Sequence, residues 1–368
     1  MPAVVMFADT VRSPELRHEV PLPIGDPLVY VETNGSRYAF AGSLELPRLA
    51  EVEGLHSHGL EDIGWDELVA AGMTWHEAHP ELVLRACRRV GVESAVVPRS
   101  FPLEIGDHLR ANGVEVRPDG GLFDRRRRAK NDEEVAGIRR AAEGCVRAME
   151  LVRERLGSGR RVTCEELQEE IALLFAKAGL AAPEGLIVSH GPQTAIGHEE
   201  GSGAIEAGEP VVVDVYPVDV ESGCFADMTR TFCIGEPPEE LLEFHRLCRE
   251  SLERALAAVR AGARATDVYA RSAEVFEEAG QPTQRTKEPG TVLDRGYFHS
   301  LGHGVGLEVH ERPLLGRAGT EELVERDVIT LEPGCYLPGF GGCRLEDLVV
   351  VTDEGYELLT SFPYDLEV

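Results

Sequence analysis

Lysine is nearly missing from this sequence. Of 37 basic residues in 368, only Lys130, Lys177 and Lys287 are lysine, a bias that GC-rich coding or adaptation to salt each produce. Basic residues are scarce as a class too. Against them stand 65 acidic side chains, giving a net charge of −28 and a pI near 4.8. A surface of that sign repels phosphate, so neither nucleic acid nor an anionic membrane is expected as a partner. The one basic run, Arg125 to Arg128, is too short for a phosphate-binding patch and reads as a solvated segment between domains. No apolar run approaches the roughly 18 residues of a membrane span. The opening "MPAVVMFADTVRSPELRHE" lacks a basic segment followed by an apolar one, so no secretory signal is expected. The eight cysteines include no CxxC pair, and a chain this long needs no staples. Reduced thiols in a cytoplasmic protein are the expectation.

What is present is enough apolar material, 43% of residues, to bury sizeable cores. The length suggests two domains. Residues 1–122 read as a small α/β domain, with "AVVMF" and "ESAVVP" as strands and a helix near 77–89 that ends before Gly91. A charged connector, 123–131, follows. From 132 to 368 the pattern is helix, helix, strands, and then the same again. Asn131 with Glu134, and Thr163 with Glu166, have the spacing of capping boxes at two helix starts. The apolar stripe Ile138, Ala142, Cys145, Met149, Val152 and Leu156 follows the first. Two further helices lie after Pro237-Pro238 and from Thr266. The expected fold class is α+β, a duplicated αα-β unit with mostly antiparallel strands behind a smaller α/β domain.

Four acids interrupt apolar strand-like runs. Asp214 lies in "PVVVDVYPV", Asp227 in "CFADMTRTF", Glu332 in "VITLEPG" and Glu346 in "RLEDLVVVT". A hairpin centred on Val220-Glu221 would set Asp214 directly opposite Asp227. Opposed carboxylates destabilise a sheet unless something positive lies between them. Any one of these acids alone reads as a surface residue on an edge strand; four together do not. Four carboxylates and one histidine would hold two divalent cations, of manganese, cobalt, iron or zinc type. Two such ions can share a bridging water and lower its pKa.

The stretch "HSLGHGVGLEVH", 299–310, carries three histidines among three glycines. They cannot all join one site that four acids already fill, so a division of labour is expected, one on metal and the others on substrate. Gly302, Gly304 and Gly306 would let backbone approach closely. Elsewhere "HEAH" at 76–79 has the wrong spacing for a zinc helix, and "HSH" at 56–58, His245, Cys335 and Cys343 read as ordinary residues.

These segments, with "GHEEGS", "TLEPGCY" and "CRLEDLVVVT", resemble the Xaa-Pro aminopeptidase, prolidase and methionine aminopeptidase family of pita-bread metallopeptidases, which includes creatinase. The resemblance covers about residues 129–365. It implies a pita-bread domain behind a creatinase/prolidase-like N-terminal domain. It also implies two metal ions, manganese first among them, held by Asp214, Asp227, His303, Glu332 and Glu346, with Asp227 and Glu346 bridging. By the same resemblance His198 and His310 assist catalysis, while His299 and Arg344 bind substrate. His198 is preferred to His190 for its spacing to Asp214. The implied activity is hydrolysis of the N-terminal peptide bond of a dipeptide or short peptide, Xaa-Pro in type, by a metal-bridging hydroxide. The implied assembly is a homodimer. The competing readings are a metal-free creatinase-type C–N hydrolase and a non-catalytic binding protein. Members of those kinds lose the carboxylate set, which is whole here. The turn between the two aspartates is two residues longer than the family's usual one.

Overall fold

The computed structural model describes residues 2–368. By internal contacts the chain divides into two units, one ending at Arg127 and the other running from Arg128 to Val368.

The N-terminal unit is built on one six-stranded sheet. Its strands are β1 (Ala3–Ala8), β2 (Leu28–Thr33), β3 (Ser36–Ala41), β4 (Leu55–Gly59), β5 (Ser94–Val97) and β6 (Glu115–Pro118), in the order β4-β3-β2-β1-β5-β6. The β1–β2 and β2–β3 pairs are antiparallel and the other three parallel. Alternate residues of one strand face opposite sides of a sheet. Accordingly Val5, Val29, Val31 and Phe40 enter one core, and Val4, Met6, Leu28, Tyr30 and Ala39 another. The helix Trp75–Arg89 closes the first core with Ala78, Leu82 and Ala86, and a Thr74–Glu77 capping box starts it.

Residues 120–128 form a helix, and the basic run there is not the solvated segment expected from its charge. Arg126 is held by Glu19 and Glu32 within the N-terminal unit, at 2.8 and 2.7 Å. Arg128 is buried against Asp327 within the C-terminal unit, at 2.6 Å. Carboxylates far away in sequence compensate the desolvation of these guanidiniums.

The C-terminal unit is the expected duplication. Its first half runs through helices Asp132–Leu156 and Cys164–Lys177 to strands β7 (Leu180–Ala181), β8 (Ile187–His190), β9 (Val211–Val215), β10 (Val218–Asp219) and β11 (Met228–Phe232). Both expected capping boxes are formed. The second half runs through helices Glu239–Leu256 and Ala265–Glu278 to β12 (Gly302–Gly304), β13 (Glu311–Leu315), β14 (Val328–Leu331), β15 (Gly334–Leu337), β16 (Gly341–Arg344), β17 (Asp347–Val351) and β18 (Tyr356–Leu358). The sheets are ordered β11-β9-β8 and β13-β12-β14-β17-β18, with β10-β7 and β15-β16 as two-stranded pieces. Every pairing among these strands is antiparallel.

The period of two again decides which core each side chain joins. Val328, Leu348 and Val350 pack with Ile138, Cys145, Val213 and Val215. Their neighbours Ile329, Leu331, Val349 and Val351 pack with Leu241, Phe244, Leu252 and Phe276 of the second helix pair. The halves are stitched by Phe225 N–H donating to Gly306 O at 2.7 Å and Glu346 N–H donating to Thr229 O at 3.0 Å. Those two bonds bring the segment after β12 and the β16–β17 junction onto the chain on either side of Asp227.

Candidate metal centre

The hairpin register differs from the one expected. Thr229, not Asp227, lies opposite Asp214, so the turn is centred on Glu221 and Ser222. The Asp219 carboxylate fixes it, accepting from Ser222 N at 2.9 Å and from Ser222 Oγ at 2.7 Å. A shift of two residues preserves the face. Asp214 and Asp227 therefore point to the same side as a diagonal pair, which separates them more than direct opposition would. The acids also sit less deeply in strands than their apolar surroundings suggested. Only Asp214 lies within one. Asp227 precedes β11, Glu332 follows β14, and Glu346 lies in the two-residue step between β16 and β17. At strand ends a side chain can point along the sheet as well as away from it.

The five residues Asp214, Asp227, His303, Glu332 and Glu346 come together. One ligand atom each from Asp227, His303 and Glu346 lies within 4.8 Å of the others, and all three residues are buried. His303 Nε2 is 3.6 Å from Glu332 Oε1 and 3.8 Å from Asp227 Oδ2. Burial and like charge push the carboxyls of Asp227 and Glu346 well above the usual range, with Asp214 and Glu332 among the repelling neighbours. Burial, opposed by the Arg344 charge, takes Glu332 up to about 8.

His303 has the opposite problem. Burial, with His310 close by, lowers it to about 3, so its ring is neutral. Its Nδ1–H donates to Gly304 O at 3.1 Å. The Nε2 lone pair is thereby aimed at carboxylate oxygens, an acceptor facing acceptors. Asp214 Oδ1 and Asp227 Oδ1 are buried with no hydrogen-bond partner. Such an arrangement is costly as it stands and favourable around cations. Four carboxylates and one imidazole of fixed tautomer are the donors that divalent ions of the Mn, Co, Fe and Zn group accept, so the residues fit two such ions.

Around this set lies a hydrogen-bonded rim. Arg344 Nη2 donates to Asp214 Oδ2 at 2.7 Å, and its Nη1 to Tyr336 Oη at 3.1 Å. Arg344 Nε reaches Thr229 Oγ1 at 3.3 Å, and Thr229 in turn donates to Glu346 Oε2 at 2.8 Å. His299, lowered to about 4 by burial and by Arg344, donates from Nδ1 to Ser300 O at 2.7 Å. Its Nε2 is then left to accept from Tyr336 Oη at 3.0 Å. His310 is exposed, with its ring centroid 4.2 Å from that of His303. His198 is also exposed. It follows Gly197, whose carbonyl accepts from Arg344 at 3.4 Å. His190 is engaged elsewhere, with Glu209 at 2.8 Å and Ser202 O at 3.2 Å. All nine site residues expected from the sequence thus belong to one region.

The sequence profile of metallopeptidase family M24 matches residues 136–353 of this chain, more than half its length. The chain belongs to metallopeptidase family M24. Among M24 relatives, the Xaa-Pro dipeptidase of Pyrococcus furiosus is 29% identical over 286 residues, 77% of each chain. The probable dipeptidase PepE of Mycobacterium tuberculosis is 32% identical over 245 residues, which is 66% of this chain and 61% of that one. The fold matches the solved Xaa-Pro dipeptidase from Bacillus anthracis with a TM-score of 0.81 at 22% identity, covering 100% of this chain and 95% of that one. It matches the prolidase from Pyrococcus furiosus with a TM-score of 0.77 at 22% identity, covering 99% and 97%. The pita-bread architecture expected from the sequence is therefore present.

Two residues of the rim escaped the sequence reading. Thr229 carried a signal, since the two-residue period places it on the face of Asp227. Tyr336 stands in the "GCY" that follows Glu332, but nothing local announces that its hydroxyl joins His299 to Arg344.

Proposed function

We propose that this M24 protein is a dinuclear-metal-dependent exopeptidase that hydrolyses the N-terminal peptide bond of dipeptides or short peptides, with proline following the scissile bond. The observation that carries it is the convergence of buried carboxylates on His303, whose Nδ1 is engaged by Gly304 O while its Nε2 lies 3.6 Å from Glu332 Oε1 and 3.8 Å from Asp227 Oδ2. The proline preference is supported by a relative named Xaa-Pro dipeptidase, and the dipeptide substrate by one named probable dipeptidase. Asp214, Asp227, His303, Glu332 and Glu346 would hold the ions, with Asp227 and Glu346 between them. Manganese suits an oxygen-rich set with a single imidazole. The chemistry that two such ions supply is a nucleophile available at neutral pH and polarisation of a carbonyl.

The chain's own groups do the rest. His310, beside His303 and open to solvent, would donate to the scissile carbonyl as charge develops on it. His198, exposed beside the Gly197 carbonyl that accepts from Arg344, would assist at the leaving amine. His299, Tyr336 and Arg344 form one directional array, arginine to tyrosine to histidine, which orients the bound peptide and holds Asp214 in place. We further propose a cytoplasmic homodimer, on the family resemblance and on eight thiols that are all buried and free; light scattering of only the 40.2 kDa chain at micromolar concentration would contradict the dimer. Residues 1–122 and 132–368 are proposed as its functional domains.

A panel of Xaa-Pro dipeptides, Xaa-Pro-Xaa tripeptides and Met-Ala peptides, assayed with manganese and with cobalt, tests the activity. Cleavage confined to the Xaa-Pro substrates is expected. Preference for Met-Ala, or no cleavage with either metal, would overturn the reading.

A further inference from the structure

One buried ion pair lies outside the metal centre yet adjoins it. Lys130 Nζ bonds Glu311 Oε1, and both side chains are only 2% exposed. Burial of this kind is expensive for a lysine unless it is paired. Lys130 is also an exception in composition, one of three lysines against 34 arginines, in a chain that otherwise uses arginine for its buried pairs with Asp327 and Asp347. Gly306 shows how closely the backbone packs on this pair. A Cβ on Gly306 would come within 2.7 Å of Lys130 Cε and 2.8 and 2.9 Å of the Glu311 carboxylate oxygens. The backbone at 306 therefore rests directly on the pair.

The segment resting there carries the imidazoles. It runs from His303 to His310, and Glu311 is the residue after His310. It is further supported by bonds from His303 N to Thr330 Oγ1 at 3.1 Å, from Val305 N to Val328 O at 2.9 Å, from Phe225 N to Gly306 O at 2.7 Å and from Gly306 N to Glu308 O at 3.1 Å. Lys130 itself is anchored at its backbone. Its N–H donates to Arg326 O at 3.3 Å, its carbonyl accepts from Arg326 Nε, and Arg326 Nη2 reaches Asp132 at 2.7 Å.

We propose that the Lys130–Glu311 pair is a positioning device that sets His310 over His303, so that Lys130 acts on the reaction through His310. The proposal rests on the reading of His310 given above. Displacing a group by about 1 Å costs on the order of a hundredfold in rate. Loss of the pair should therefore lower kcat by roughly ten- to a hundredfold while KM and metal content stay near their original values.

The test is a double-mutant cycle on the manganese-loaded full chain, with Lys130→Met and Glu311→Gln each made alone and each combined with His310→Ala. Glu311→Gln keeps the volume and leaves Lys130 an acceptor, so it retains a folded protein where Lys130→Met does not. Expected is a fall in kcat for each single variant, with no further fall when either is added to His310→Ala. Unchanged kcat in a folded Lys130→Met or Glu311→Gln, beside a damaged His310→Ala, would overturn the positioning alone. So would losses that add in full to that of His310→Ala, since they would mark a purely structural effect. Full rate in His310→Ala would instead overturn the role of His310, and with it this proposal.

Discussion

Removing metal from the C-terminal unit should make its stability fall as pH rises from 6.5 to 8. Without cations the raised carboxyls retain protons in the folded state that they have lost in the unfolded one. For an acid with a raised folded pKa, stability falls with pH between its unfolded and folded values. For Glu332 that window is 4.5 to about 8. The lowered histidines work the other way. His303 at about 3 and His299 at about 4 make the fold more stable as pH rises, but mainly below the unfolded value of 6.5. Above pH 6.5 the histidine contribution is nearly spent, each ring adding only about 0.4 kcal/mol more by pH 8, so the carboxylates outweigh it. The buried thiols, raised from 9, enter only at higher pH. Between pH 6.5 and 8 Glu332 alone removes about 2 kcal/mol, at 1.36 kcal/mol per pH unit. Asp227 and Glu346 act with the same sign. For a unit of this size that lowers Tm by roughly 4–8 °C. Calorimetry of chelator-treated protein at pH 6.5, 7.25 and 8 measures it. Manganese should abolish or reverse the trend, because the ligands bind as carboxylates and affinity rises with pH. A metal-free Tm that is flat or rises across the window would refute the electrostatic account of the site.

Asp227→Asn and Glu346→Gln should each lower kcat/KM by on the order of a hundredfold or more, in a peptidase assay with saturating manganese; full activity in either would remove it from the bridging position. His303→Ala should lose metal, seen as low occupancy by elemental analysis and partial recovery in excess manganese. His310→Ala should keep its metal and lose about a hundred- to a thousandfold in rate; equal metal loss in both would refute the division between them. Arg230→Met should destabilise the fold by about 3–5 kcal/mol in urea titrations, because it leaves the buried Asp347 charge with only the Thr360 and Tyr364 hydroxyls and strips hydrogen bonds from Glu346 O and Phe362 O. Adding Asp347→Leu should restore part of that loss.

How far the sequence could be read follows from the range of each interaction. Helix starts at Asn131 and Thr163 were legible because a capping box is complete within four residues. The acids at 214, 227, 332 and 346 stood out because a charge inside an apolar run demands a partner. The hairpin register did not follow from the same pattern. It depends on a turn whose shape the Asp219 side chain sets through Ser222. Arg125 to Arg128 looked solvated because the partners of Arg126 and Arg128 lie 94 and 199 residues away in the chain. Arg230 was hidden in the same way, 117 residues from Asp347. Local pattern shows that a group is costly to bury; only the fold shows which distant group offsets that cost.

If the five converging residues hold two divalent ions on which peptide hydrolysis depends, activity and metal content must rise and fall together. The most direct test is metal stoichiometry and Xaa-Pro cleavage measured on one preparation, after chelation and again after manganese is returned. The account predicts two ions per chain in the loaded protein, no cleavage after chelation, and recovery that tracks occupancy. Full cleavage by a preparation holding less than one ion per chain would contradict it.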